Sequence, residues 1–340
     1  MSGMQGRRGY VAPLMFEVRM SDRYVQPLRM LVQLVFLGLS LLIGFRFFRF
    51  IQAVQQGLDT VGRPAAVDAF LPISGLFGTV AWLKGGGINP AHPAAVVIFV
   101  TIIVVSLLLR RAFCSWICPV GTLSEWLWKL GFNKLQRNWL PPRWLDLGLR
   151  GIKYLLLAFF LFSAVSWSLS ALQGFLGSGY HAISDVKLLQ LFRSPSITTL
   201  AVVGLLLALS IPLRNPFCRF VCPYGALLSL VSLASPLAVQ RDLKKCVSCG
   251  VCSQVCPSRI DVMHATRVNN PECLGCWRCI SHCRVNTALS MRAFGRLAVP
   301  GILFVLLVVL LFWGGTRLGK VSGHWDSVVT PADYRELMAR

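Results

Sequence analysis

The sequence predicts a membrane α-helical bundle of about five transmembrane helices, with a small cysteine-rich α+β domain on its cytoplasmic side. Three observations carry this. The chain has 340 residues, 55% of them hydrophobic and only 14% charged, too apolar for an ordinary soluble domain. Its net charge is nevertheless +21, with the basic residues concentrated in alternate loops. Eight of its twelve cysteines fall in one stretch near the end. A nucleic-acid binder could be as basic, but it would not need the long apolar runs, so no nucleic-acid partner is expected. The basic loops suit anionic headgroups or an acidic partner.

Five stretches are apolar enough to cross a bilayer of about 20 helical residues: 29–50, 91–109, 152–172, 196–213 and 297–314. The first ends in Phe45-Arg46-Phe47-Phe48-Arg49-Phe50 with no small-residue cleavage site, so it reads as an anchor and not as a cleaved signal. Residues 70–83 are too short and carry Pro72, Gly75 and Gly78, which suits an outer interfacial or re-entrant segment. Residues 224–239 read as an interfacial helix. The expected organisation is a cytoplasmic tail (1–28), a membrane domain with four helices (29–240), a cysteine-rich domain (241–292), a fifth span (297–314) and an extracytoplasmic tail (315–340).

Loop charge sets the expected orientation. Lys and Arg number five in residues 1–29, eight in 110–153 and eleven in 214–296, against two in each of 51–93 and 173–195. The positive-inside rule places the basic segments in the cytoplasm of a bacterial inner membrane and the C-terminal tail outside. Arg46 and Arg49 oppose this weakly and can snorkel to the interface.

The cysteine runs are Cys246-x2-Cys249-x2-Cys252-x3-Cys256-Pro257 and Cys273-x2-Cys276-x2-Cys279-x3-Cys283. This is the spacing of bacterial two-cluster ferredoxins, in which the fourth cysteine of each run serves the other cluster. Cys246, Cys249, Cys252 and Cys283 are therefore expected to hold one [4Fe–4S] cluster, and Cys273, Cys276, Cys279 and Cys256 the second. Zinc ribbons lack the third and fourth cysteines at these intervals, and disulfides need an oxidising compartment. Arg284 stands where the first run has Pro257, and added positive charge near a cluster favours its reduced form.

The other four cysteines lie in a repeat. Residues 110–124 read RRAFCSWICPVGTLS and residues 214–228 read RNPFCRFVCPYGALL. Each begins where a predicted span ends, and each places a proline where a new helix can start. After Pro119, Val120, Leu123, Trp126, Leu127 and Leu130 recur at helical spacing. With Trp126, Trp128, Trp139 and Trp144 that segment suits the membrane interface. Repeated halves often surround one site. If they pack symmetrically, Cys114, Cys118, Cys218 and Cys222 meet at the cytoplasmic face, where four thiolates could hold a third Fe–S cluster or a soft metal ion. Reduced structural cysteines and a redox-active thiol pair remain alternatives.

Five spans, paired Phe-Cys-x3-Cys-Pro motifs and a late two-cluster segment together resemble the NapH/NosR-type membrane-bound ferredoxin family over residues 25–315. The resemblance implies single-electron transfer between a quinone pool or cytoplasmic donor and a partner redox system, with catalysis left to partners and not to a stand-alone enzyme. Larger relatives carry an extracytoplasmic flavin domain before the first span. Here about 28 residues precede it and no Ser-Gly-Ala-Thr motif occurs, so no covalent flavin is expected. A copper-reducing, oxidase-assembly branch shares part of the pattern. The alternative function is therefore a metal reductase or assembly factor using the four Cys-x3-Cys-Pro cysteines.

The histidines add little. His92 and His181 fall at the outer ends of predicted spans, where a quinol headgroup could approach, but hydrogen-bonded histidines are the simpler reading. His282 neighbours Cys283 and could tune a cluster; as a surface residue it would do nothing. His264 lies in the same segment and His324 in the tail. Thr330-Pro331-Ala332-Asp333 reads as a helix start, with a short helix from Pro331 to Met338.

Overall fold

The computed structural model describes residues 24–58, 60–135, 141–285 and 287–339. Most of the predicted N-terminal tail, and Trp139, lie outside the described residues. Helix α1 (Val25–Gln55) has 31 residues and leaves Leu31, Leu34, Leu41 and Phe45 exposed along its length. Exposed apolar faces of this extent belong against lipid. α2 (Pro72–Leu83) packs along α3 (Pro93–Leu109). After α3 come α4 (Ala112–Trp116), α5 (Pro119–Leu135) and α6 (Arg143–Ser166). Then follow α7 (Leu169–Leu176), α8 (Gly179–Ala182), α9 (Ser184–Arg193) and α10 (Ile197–Ser210).

α1, α6 and α14 (Gly301–Val321) are each long and apolar enough to cross a membrane. α9 and α10 together pass as a fourth span, bent by 79°. The break falls at Ser194-Pro195-Ser196, where proline disfavours helix at the residue before it. α3 is different. It has 17 residues, about 25 Å of helix, and is buried on nearly every side by α2, α14 and the short helices beside them. A helix apolar all round is buried, in a protein core or as a membrane span. The expected span at 152–172 starts earlier, at Arg143, and ends at Ser166.

The expected interfacial helix at 224–239 is in two parts. A π-helical turn (Phe217–Val221) leads into α11 (Pro223–Val231), but after Pro236 the chain becomes strand β1 (Leu237–Arg241). β1 is central in an antiparallel sheet with β2 (Arg267–Val268), β3 (Leu289–Ala293) and β4 (Leu297–Ala298), in the order β2-β1-β3-β4. Val239 faces Val268 and Met291, and Leu237 faces Ala293. The sheet therefore reaches beyond the expected limits of 241–292 on both sides. Leu237, Val239, Val268, Leu289 and Met291 form its buried face, packed with Cys252, Cys256 and Trp277. The short helices α12 (Val251–Gln254) and α13 (Arg278–Ser281) follow the cysteine loops.

The tail helix α15 (Pro331–Ala339) is closed by a reciprocal cap: Thr330 N donates to Asp333 Oδ2 at 2.8 Å, and Asp333 N donates to Thr330 Oγ1.

Candidate iron–sulfur centres

The two cysteine runs have matching backbones. Ser248 and Gly250 flank Cys249 with φ of +53° and +74°, while Gly275 and Trp277 flank Cys276 with +58° and +62°. Alternating left-handed residues turn successive N–H groups to one side, making a concavity for an anionic group. Gly275 also answers a second demand, since a Cβ there would lie 3.1 Å from the Leu109 carbonyl. Trp277 accepts its left-handed φ while buried against Phe304 of α14, ring centroids 5.7 Å apart.

The loops enclose two cavities. The first is lined by Cys246, Cys249, Cys252 and Cys283, with Val251, Leu289 and other apolar groups. The second is lined by Cys256, Cys273, Cys276 and Cys279, with Val239, Val262 and Met291. Each holds four soft sulfur donors in an apolar shell under inward-turned amides, a setting that fits a thiolate-bound cluster. Burial pushes the Cys256 thiol up to about 12, so binding of iron there displaces a firmly held proton.

The remaining cysteines come together from the two repeats. Cys218 lies close enough to Cys118, Cys222 and Cys114 for each to raise its pKa, after the larger effect of burial. Burial also takes Cys118 to about 12. The two turns are built alike. A Cβ on Gly121 would overlap the Cys114 carbonyl and sit 3.8 Å from Cys118 Cβ; one on Gly225 would sit 3.4 Å from the Cys218 carbonyl and 3.7 Å from Cys222 Cβ. Gly225 N donates to Cys222 Sγ at 3.2 Å, at the start of α11, where the helix dipole favours negative charge. Arg111, buried, lies electrostatically close to Cys114 and Cys218. Four sulfurs, a buried cation and a helix N-terminus suit an anionic thiolate centre. Among the described residues no three Cys, His, Asp or Glu side chains converge on a single-ion site; the eight cysteines of the two cavities do not do so either.

Sequence reasoning missed how tightly these parts are joined. Ser115, next to Cys114, donates to the carbonyl of Leu274, next to Cys273, at 2.8 Å. Trp116 Nε1 donates to Gly275 O at 3.1 Å and Gln26 Nε2 to Cys276 O at 3.0 Å. Arg110, fully buried, donates to the carbonyls of Leu237 and Val268 and to Asn269 Oδ1. Glu272 accepts from Arg111 at 2.9 Å, Lys153 at 2.5 Å and Tyr154 at 3.1 Å. Burial alone would raise the Glu272 pKa; Arg111 and Lys153 hold it down at about 2. One signal was available, because Glu272 is one of only three carboxylates between residues 238 and 296.

The histidines take the simpler reading. His92 is buried with Nδ1 2.9 Å from Asp68, and His181 is buried with Nε2 2.9 Å from Ser74. Arg63 pairs with Asp68 and Asp185, and Tyr334 of α15 donates to Asp185 at 2.8 Å. His282 is exposed, 2.9 Å from the Arg278 carbonyl. His264 pairs with Asp261 on the surface.

Comparison with known proteins bears on these features. A family described as a 4Fe-4S binding domain matches twice, at residues 91–140 and 196–245, and one described as a 4Fe-4S dicluster domain matches residues 238–284. The Escherichia coli protein named putative electron transport protein YccM is 39% identical over 91% of this chain and 89% of its own length. The Escherichia coli ferredoxin-type protein NapH is 28% identical over 51% of this chain and 59% of its own. The regulatory protein NosR of Pseudomonas aeruginosa is 28% identical over 66% of this chain and 30% of its own. No solved structure matches the chain. The protein carries two [4Fe–4S] clusters, and its apolar helices and relatives identify a bacterial membrane protein of iron–sulfur electron transfer. On its cysteine pattern, its repeats and these relatives, the chain belongs to the NapH/NosR-type family of membrane-bound [4Fe–4S] ferredoxins.

Proposed function

We propose that the protein is an electron relay whose eight dicluster cysteines hold its clusters as two interleaved sets and whose four repeat cysteines hold a third redox centre at the membrane face. The sets are Cys246, Cys249, Cys252 and Cys283, and Cys273, Cys276, Cys279 and Cys256. When bound, each cluster accepts and releases one electron. The observation that carries the reading is the Ser115–Leu274 hydrogen bond of 2.8 Å. It joins the backbone beside Cys273 to the side chain beside Cys114 through one short polar contact. Arg111 and Glu272 make a second bridge between the same two loops at 2.9 Å. Trp116 and Trp277, both buried, pack on the same Phe304.

From the third centre electrons would pass to or from a quinone or a partner redox protein in the bacterial inner membrane. The basic loops favour the dicluster in the cytoplasm, with α1, α3, α6, α9–α10 and α14 as five crossings and the tail beyond 321 outside. That the repeat matches a family described as 4Fe-4S binding supports iron at Cys114, Cys118, Cys218 and Cys222.

Iron and acid-labile sulfide on anaerobically purified protein test this. About twelve irons per chain are expected, falling to about eight when Cys118 and Cys222 are both replaced by serine, with both dicluster EPR signals retained. About eight irons in the unaltered protein, with copper bound tightly at the repeat, would favour the metal-reductase reading instead.

A further inference from the structure

One cysteine of the first dicluster cavity, Cys249, is exposed, and none of the second is. The register of the sheet distinguishes its two ends. At one end of β1, Leu237 pairs with Ala293 beside the Phe294–Arg296 turn, and Arg110 and Ser235 tie that end to the C-terminus of α3. At the other end, about 14 Å along the strand, Arg241 pairs with Leu289 and the chain enters the loop 242–249. The exposed Phe294 and Leu297 lie just before α14, a helix long and apolar enough to cross a membrane. No such explanation reaches the far loop. There Leu243 is 59% exposed and Val247 64% exposed, and Cys249 is itself exposed. By contrast, no cysteine of the second cavity is exposed: Cys273, Cys276 and Cys279 are half-buried and Cys256 is buried.

Charge surrounds this apolar spot. Lys244, Lys245 and Arg284 are exposed, and Arg241 reaches Cys246 Sγ at 3.6 Å. Asp242 is the one carboxylate in the loop, and Asp261, the next along the chain, is taken up by Ser253 and His264. An exposed apolar centre ringed by one sign of charge is the anatomy of a transient protein interface. The positive sign selects an acidic partner, and a redox centre beneath selects an electron carrier.

We infer that the face formed by Leu243, Val247 and Cys249, edged by Lys244, Lys245 and Arg284, docks a small acidic one-electron carrier protein. This rests on the proposed ligand set Cys246, Cys249, Cys252 and Cys283 at the first cavity. In the exchange the carrier gives up one electron and is oxidised by one unit, and the centre at the first cavity gains that electron; the reverse run balances the same way. No atom or proton moves. The lysines steer the encounter and the apolar spot excludes water between the two centres.

The test uses the full-length holoprotein in lipid nanodiscs. The probe is a small acidic ferredoxin, used native for stopped-flow reduction and gallium-substituted, hence redox-inert, for calorimetric binding. Lys244→Glu combined with Lys245→Glu should weaken binding of the inert probe about tenfold at low salt and slow reduction by a similar factor, and raising salt should do the same to the unaltered protein. Val247→Asp should weaken binding as well. Reduction by the small cationic viologen radical should not slow in the lysine variant. Equal binding of the probe by the lysine variant and the unaltered protein overturns the proposal, as does salt-sensitive binding that neither variant changes. Cys249→Ser separates the underlying reading: retention of both cluster signals in that variant would sink the ligand assignment, whatever the probe does.

Discussion

At the scale of single residues, Glu272 shows how a sparse charge is used. It lies beside Cys273 and gathers Arg111, Lys153 and Tyr154 from the bundle. Buried ion pairs are costly to break because the partners are left unpaired. Glu272→Gln should lower the stability of the protein by about 3 kcal/mol at neutral pH, read as a fall in thermal midpoint by circular dichroism. The pH dependence has a definite sign. A folded pKa of about 2 lies below the ordinary value of about 4.3 for glutamate. Glu272 therefore stabilises the fold fully above about pH 4.3 and loses that contribution as pH falls towards 2. The gap between variant and wild type should narrow over that window, and a constant gap would show that the carboxylate is not held in this way. The cysteine spacing was legible because metal chemistry fixes it. Glu272 was not, because its partners are supplied by packing between segments more than a hundred residues apart.

At the scale of elements, the repeat was legible and its surroundings were only partly so. Phe-Cys-x3-Cys-Pro-x-Gly recurs with both prolines starting helices, α5 and α11, as the motif predicts. The glycine two residues after each proline has a steric reason. A methyl at Gly121 would overlap the Cys114 carbonyl, whereas at Gly225 it would meet Arg111 Nη2 at 3.1 Å, the end of a flexible side chain. Gly121→Ala should therefore cost about 2 kcal/mol and disturb the centre proposed at the repeat, while Gly225→Ala should cost less. Equal effects in thermal unfolding and iron content would contradict this asymmetry. The run 224–239 was misread as one helix because apolar length alone does not separate a short helix from a following strand. Pro236 was the available signal, since proline biases the residue before it away from helix. α3 is apolar all round, and a helix buried in protein and one buried in lipid can be equally apolar.

At the scale of the whole molecule, contacts sort the helix ends into two layers. Gln26 at the start of α1, Arg110 after α3, Arg150 near the start of α6 and Arg214 after α10 all bond to the cysteine-rich segment. β4, paired with β3, leads directly into α14. At the other layer, Arg63, Asp68, His92 and Asp185 form a buried network with Tyr334 of the tail helix, and Val328 N donates to Pro90 O at 3.1 Å. Among the described residues three helices are long and apolar enough to cross a membrane, or four if the bent pair α9–α10 counts as one crossing. Among the described residues, Arg110, Arg150 and Arg214 of the basic loops lie in the dicluster layer, and the charge-poor segments that carry His92 and Asp185 lie in the other, the grouping the positive-inside rule also makes. The consequence is a topology test on intact cells. An alkaline phosphatase joined after residue 340 should be active, because that enzyme folds only outside the cytoplasm, where disulfides form. The same enzyme joined after residue 286 should be inactive, while a green fluorescent protein at that junction should fluoresce. The reverse pattern at both junctions would turn the molecule over, placing the dicluster and its basic rim outside and leaving the proposed acidic carrier no access to them.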